Sequence, residues 1–323
     1  MEMEFVEGKV EGEKAFGDVV FPKTLNPSKG GGNGMLSYGV NELVEMVKEK
    51  REWLSELLQT HSALLFRGFG VSTAEEFGRV VEAFGWEETE YMGAISRLKM
   101  ADRVYTANEA PLDQLINFHH EMSLIKKFTS KIFFFCYQPS PEGGETAIVP
   151  SHTIVEKMEE KVPEFMAKLS ELGFIFRLHL PKEFDPTTIV SRTWKWFLNT
   201  DEEVEAEKRA MEMLPCSSII FNKDGSAEIV YGPISPIKEF GGRKVWFFSI
   251  LGRSSKEKEM CISFGDGTPF PTEAFDAYEQ VLNENCVDLK WQKGDILLVD
   301  NLSVQHARRP GKPPRSILLS ICN

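Results

Sequence analysis

The sequence predicts a mainly β fold with flanking helices, an antiparallel double-stranded β-helix (jelly roll), and three observations carry that expectation. From about residue 104 strand signals dominate: VYTAN, INFHHEMS, KIFFFCYQP, ETAIVP, SSIIFN, AEIVYGPI, RKVWFFSI, GDILLVDN and RSILLSI. Helical patterns interrupt them near 153–171, 203–213 and 272–285, without the regular alternation of strand and helix that a parallel sheet requires. The composition allows a large core, since 42% of the 323 residues are apolar and 24 are Phe.

Taken in order, residues 1–40 read as an N-terminal arm ending in the Gly-rich loop NPSKGGGNG, and 41–323 as a single jelly-roll domain with helical inserts. From Asn41 the apolar residues Leu43, Val44, Val47, Trp53, Leu54, Leu57 and Leu58 recur at helical spacing. ALLFRGF reads as a buried strand. A second amphipathic helix follows Ser72 and Thr73, with Phe77, Val80, Val81 and Phe84 on one face and Glu76 three residues after Thr73, the spacing of a capping box.

The net charge of -12 argues against nucleic-acid backbones and anionic lipid as partners, both of which need clustered Lys and Arg. Five cysteines, at 136, 216, 261, 286 and 322, form an odd, scattered set without a CxxC pair, so neither a disulfide framework nor a structural zinc site is expected. The start MEMEFVEGKVEGEK is too acidic for a signal or transit peptide, and no stretch reaches the roughly 18 apolar residues of a membrane span. A cytoplasmic protein is the expectation. No feature encodes an oligomeric state.

Only six histidines exist, at 61, 119, 120, 152, 179 and 306. In a strand INFHHEMS, His119 and Glu121 would face one way and His120 the other, so the i, i+2 pair can grip two adjacent positions of a metal. His306, which follows the apolar strand GDILLVDN after the short turn SVQ, is the best placed third ligand. Two imidazoles and a carboxylate on one face suit a non-heme Fe(II) oxygenase, and zinc hydrolases use similar sets, so the ligand types alone do not choose the metal. The remaining histidines have plainer readings: His61 in a loop or at a helix end, His152 in a first helical turn capped by Ser151, His179 in a strand, and His120 as the outward neighbour of the pair. Arg315, nine residues after His306, opens a strand whose Ile317, Leu319 and Ile321 share its face, a setting suited to gripping a carboxylate. Thr146 follows the Gly-Gly turn of GGET and can donate to the same group.

With His119-x-Glu121, GGET, Asp300-Asn301, His306 and Arg315 in this order, the chain resembles the TauD/TfdA family of 2-oxoglutarate-dependent dioxygenases over roughly residues 40–323. The likeness extends in particular to the plant clavaminate synthase-like proteins, through ALLFRGF, VVEAFG, TANE, FHHEM, GGET, SFGDG, WQKGD and HARRP. The resemblance implies a clavaminate synthase-like catalytic domain in which His119, Glu121 and His306 bind Fe(II), and Arg315 and Thr146 hold the distal carboxylate of 2-oxoglutarate. It implies O2 as oxidant, release of succinate and CO2, and hydroxylation, desaturation or cyclisation of a small-molecule metabolite. Relatives often carry two Arg where this chain has Arg315-Ser316, and strand parity favours Arg315. Related halogenases replace the carboxylate ligand by a small residue, so Glu121 speaks against halogenation. A zinc hydrolase would have no use for Arg315 and Thr146, and a non-catalytic binding protein with a relict site would have no reason to keep every ligand. The insert at 181–200 is a lid candidate, in which Trp194 and Trp196 are expected to anchor the segment to the core rather than stack on substrate.

Overall fold

The computed structural model describes residues 4–28, 39–92, 97–252 and 262–323; most of the Gly-rich loop and Cys261 lie outside them. KIFFFCYQ, the most apolar of the expected strands, lies inside an eight-stranded sheet. The order across it is Phe5–Gly8, Lys23–Pro27, Ala63–Phe66, Ile296–Asp300, Lys131–Gln138, Ser316–Cys322, Val104–Thr106 and Lys99–Ala101. Its pairings are antiparallel except for Lys23–Pro27 beside Ala63–Phe66, which is parallel. A four-stranded sheet, ordered Val287–Leu289, Thr146–Pro150, Val304–Arg308 and Ile116–His119, is antiparallel throughout.

The period of two in the central strands divides the core into two layers. Phe133, Phe135, Leu298 and Leu318 pack with the helices Val40–Glu49, Arg51–His61 and Ala74–Ala83, where Phe77 stacks on Phe135 at 5.1 Å. Phe134, Cys136, Leu297, Ile317 and Leu319, one residue along the same strands, share a cluster with Ala147, Ile148 and Ala307 of the smaller sheet. Each fully buried Phe or Leu in either layer contributes about 1.5–3 kcal/mol relative to exposure.

The expected helices form, with boundaries set by local chemistry. Thr73 caps Ala74–Ala83 through Glu76 N–H to its hydroxyl at 3.2 Å, while the Glu76 carboxylate accepts from the Ser72 and Thr73 amides. The pattern at 153–171 becomes two helices, Ser151–Lys161 and Pro163–Leu172, because Pro163 lacks the N–H to continue the first and suits the opening turn of the second. Ser151 is the first residue of its helix and not its cap; its hydroxyl donates instead to His120 Nε2 at 2.8 Å. The N-terminal segment departs most from expectation. Residues read as an arm form four short strands, and two of them extend the eight-stranded sheet.

Candidate metal centre

His119 closes the strand Ile116–His119 and lies directly opposite His306 on Val304–Arg308, with ring centroids 4.4 Å apart. Ile148 is opposite His306 on its other side and Thr146 is opposite Arg308, so these side chains emerge on one face of the smaller sheet. Phe134, from the eight-stranded sheet, meets His306 edge-on at 5.1 Å, which places the site between the two sheets.

Glu121 reaches the same point by a different route from the one the sequence suggested. The strand stops at His119 and Met122 takes a positive φ of 56°, so strand parity does not aim this carboxylate. Asn301 does the work of a neighbouring strand: its side-chain oxygen accepts from Glu121 N–H at 2.8 Å and its amide nitrogen donates to Glu121 C=O at 2.9 Å and to Thr129 C=O at 2.7 Å. Glu121 Oε2 then lies 3.7 Å from His306 Nε2 and 4.0 Å from His119 Nε2, and one donor atom from each residue falls within 4.8 Å of the others.

These residues fit a divalent ion. His119 Nδ1 donates to Asn117 C=O at 2.7 Å, which leaves the Nε2 lone pair aimed inward, as metal-binding imidazoles require. Among the described residues His306 Nδ1 is buried without a hydrogen-bond partner, and Glu121 is 5% exposed. Burial alone would raise the Glu121 carboxyl, but Arg97 and then the two histidines override it and hold it below the ordinary carboxylate range. The charged form is the ligating form.

Beside this cluster lie two arginines, Arg308 and Arg315. Arg315 precedes Ser316–Cys322, donates through Nε to Gly144 C=O at 2.7 Å and is brought down to about 10 by burial and then by the nearby Arg308. Both stay charged at neutral pH, and among the described residues neither is in an ion pair. Thr146 Oγ1 accepts from Trp291 Nε1 at 3.0 Å, so its own hydroxyl proton remains available to an acceptor. Arg308 donates to Asn108 Oδ1 and to the carbonyls of Ala110, Pro111 and Gln114, gathering that loop against the strand of His306. Gln114 in turn donates to Thr187 C=O at 2.9 Å, which ties the 181–200 insert to the loop. In that insert Trp194 is buried and donates to Gly225 C=O, whereas Trp196 is 48% exposed and lies over Arg192 at 4.8 Å. Trp194 is thus the anchor of the two.

The other histidines stay outside the cluster. His61 ends a helix and donates to Val20 C=O, His152 occupies a first turn, and His179 sits in the strand Phe174–Leu180. His120 points away from the metal cluster, as expected, but into the interior: it donates to Asn301 C=O at 2.5 Å, stacks on Phe247 at 4.7 Å, and is driven down to about 3 by burial, hence neutral. Asn301, Trp291 and Arg308 stand within the motifs DN, WQKGD and HARRP, whereas Arg97, which pairs with Glu121 at 2.9 Å, belongs to none of the motifs above. Nothing local in the sequence marks Arg97. No helix among the described residues is long and apolar enough to cross a membrane.

Residues 37–322 match the model of a family described as taurine catabolism dioxygenase TauD, TfdA family. A clavaminate synthase-like protein of Arabidopsis thaliana is 38% identical over 330 residues, covering 99% of this chain and 99% of that protein. Dapdiamide synthesis protein DdaC of Enterobacter agglomerans is 26% identical over 287 residues, covering 83% of this chain and 84% of its own length. Among solved structures, PvcB, an Fe, alpha-ketoglutarate dependent oxygenase from an isonitrile synthetic pathway, superposes with a TM-score of 0.53 at 14% identity, covering 100% of this chain and 92% of that one, which shows a shared fold.

Proposed function

The chain belongs to the taurine catabolism dioxygenase TauD, TfdA family, and we propose that His119, Glu121 and His306 hold its Fe(II) while Arg315 and Thr146 take the distal carboxylate of 2-oxoglutarate. As a dioxygenase of this family it works with Fe(II), 2-oxoglutarate and O2. The finer reading is an oxygenase that hydroxylates, desaturates or cyclises a small-molecule metabolite. The eight-stranded and four-stranded sheets are then the two halves of a double-stranded β-helix, with the 181–200 insert as its lid.

One observation carries this reading: two imidazole nitrogens and a carboxylate oxygen converge within 4.8 Å in a chain whose buried Arg308 and half-buried Arg315 are in no ion pair among the described residues. When bound, Fe(II) couples decarboxylation of 2-oxoglutarate to activation of O2 and so supplies the oxidising power; the rest falls to the protein. His119, Glu121 and His306 would hold the ion with three donors, fewer than Fe(II) takes, so that the co-substrate could join them. Arg315 offers a planar fork to the co-substrate carboxylate, and Thr146, its oxygen already accepting from Trp291, is oriented to donate a second hydrogen bond. Phe134 and Ile148 beside His306 keep water from the inner wall.

The test is anaerobic addition of Fe(II) and 2-oxoglutarate to the purified protein, followed by O2. A weak visible charge-transfer band, then succinate release that requires both additions, is expected. Well-folded protein with no band and no Fe(II)-dependent succinate would exclude the proposal.

A further inference from the structure

We propose that Arg97 is a positioning residue, one that holds Glu121 so that a single carboxylate oxygen faces the two histidines. This rests on the metal-centre reading above. Arg97 Nη2 donates to Glu121 Oε1 at 2.9 Å, the oxygen turned away from the cluster, while Oε2 is the one directed at His119 and His306. Both side chains are almost wholly buried, at 4% and 7% exposure. The guanidinium is itself held on two further sides: Nη1 donates to the carbonyls of Thr106 and Ala107, and the plane lies 4.3 Å above the Tyr91 ring.

A carboxylate free to rotate can bind a divalent ion through both oxygens, and the second oxygen would take a position that a chelating co-substrate needs. Engagement of Oε1 by a charge-assisted hydrogen bond opposes that rotation. Asn301 fixes the main chain of Glu121 and leaves its side-chain torsions free, so the two residues act on different parts of the same ligand. A lysine in place of Arg97 would keep the charge but lose the rigid fork that reaches Glu121 and the two carbonyls together.

The experiment compares wild type, Arg97→Met and Arg97→Lys by three measurements: Mn(II) affinity by electron paramagnetic resonance, melting temperature, and the 2-oxoglutarate concentration that half-forms the visible Fe(II) chelate band. Both variants should bind Mn(II) within a few-fold of wild type yet need about tenfold or more 2-oxoglutarate to form the band, at the lower end of what loss of a metal ligand's partner costs. If Arg97→Met does not fold, Arg97→Lys carries the test. An unchanged 2-oxoglutarate requirement in Arg97→Lys overturns the proposal, since charge alone would then suffice. So does parallel loss of Mn(II) binding and melting temperature, the mark of a merely structural residue. Wild type that forms no band would instead bring down the metal-centre reading, and Arg97's role with it.

Discussion

On one face of the eight-stranded sheet, Phe133, Phe135, Leu298 and Leu318 meet three helices. On the other, Phe134, Cys136 and Ile317 lie one residue along the same strands, in the layer that also contains His306, with Arg315 just before the last strand. Alternate residues of one sequence stretch therefore answer to different demands. The helix side requires only volume and apolarity, and many side-chain sets satisfy that. The inner side also has to hold two imidazoles, a glutamate and two guanidiniums that are buried or half-buried, and each must find a partner or a ligand. Stability and chemistry should separate when the two faces are perturbed independently.

The largest expected effect is on the inner face. His306→Ala should abolish metal binding and Fe(II)-dependent succinate release while leaving the metal-free protein folded, because Arg97 still pairs with the buried Glu121. Persistent succinate release would break the comparison outright. On the helix side, Phe135→Ala should cost about 3–5 kcal/mol in urea denaturation by opening a cavity beneath Phe77, while the folded fraction forms the 2-oxoglutarate chelate as wild type does. Asn301→Ala should move both readouts, losing about 1–3 kcal/mol through unpaired main-chain groups at Glu121 and roughly 10–100-fold in Mn(II) affinity. An effect on stability alone would show that Asn301 matters only for packing. The smallest change is Thr73→Ala, about 1 kcal/mol from the lost cap, with the chelate band unaltered.

What could be read in advance was whatever a local pattern records. Strand parity in RSILLSI places Ile317, Leu319 and Ile321 on one face, and Thr73 with Glu76 announces a helix start. His119 and His306 were legible as candidates because few histidines compete and both adjoin strong strand signals. The aiming of Glu121 was not, since it depends on an Asn 180 residues away that takes over where the strand stops. Arg97 hides for a similar reason: a lone cation acquires meaning only from the carboxylate the fold places beside it. Ser151 looked like a cap because its neighbours are helical, but the buried His120 captures its hydroxyl.

The parallel pairing of Lys23–Pro27 with Ala63–Phe66 bears on where this protein can be cut. A chain shortened to start at residue 40, the boundary the Gly-rich loop suggests, would strip one side of ALLF and leave an almost wholly apolar strand with its amide and carbonyl groups facing solvent. Such bare borders recruit other chains, and the shortened protein is expected to precipitate or self-associate even with every residue of the metal centre intact.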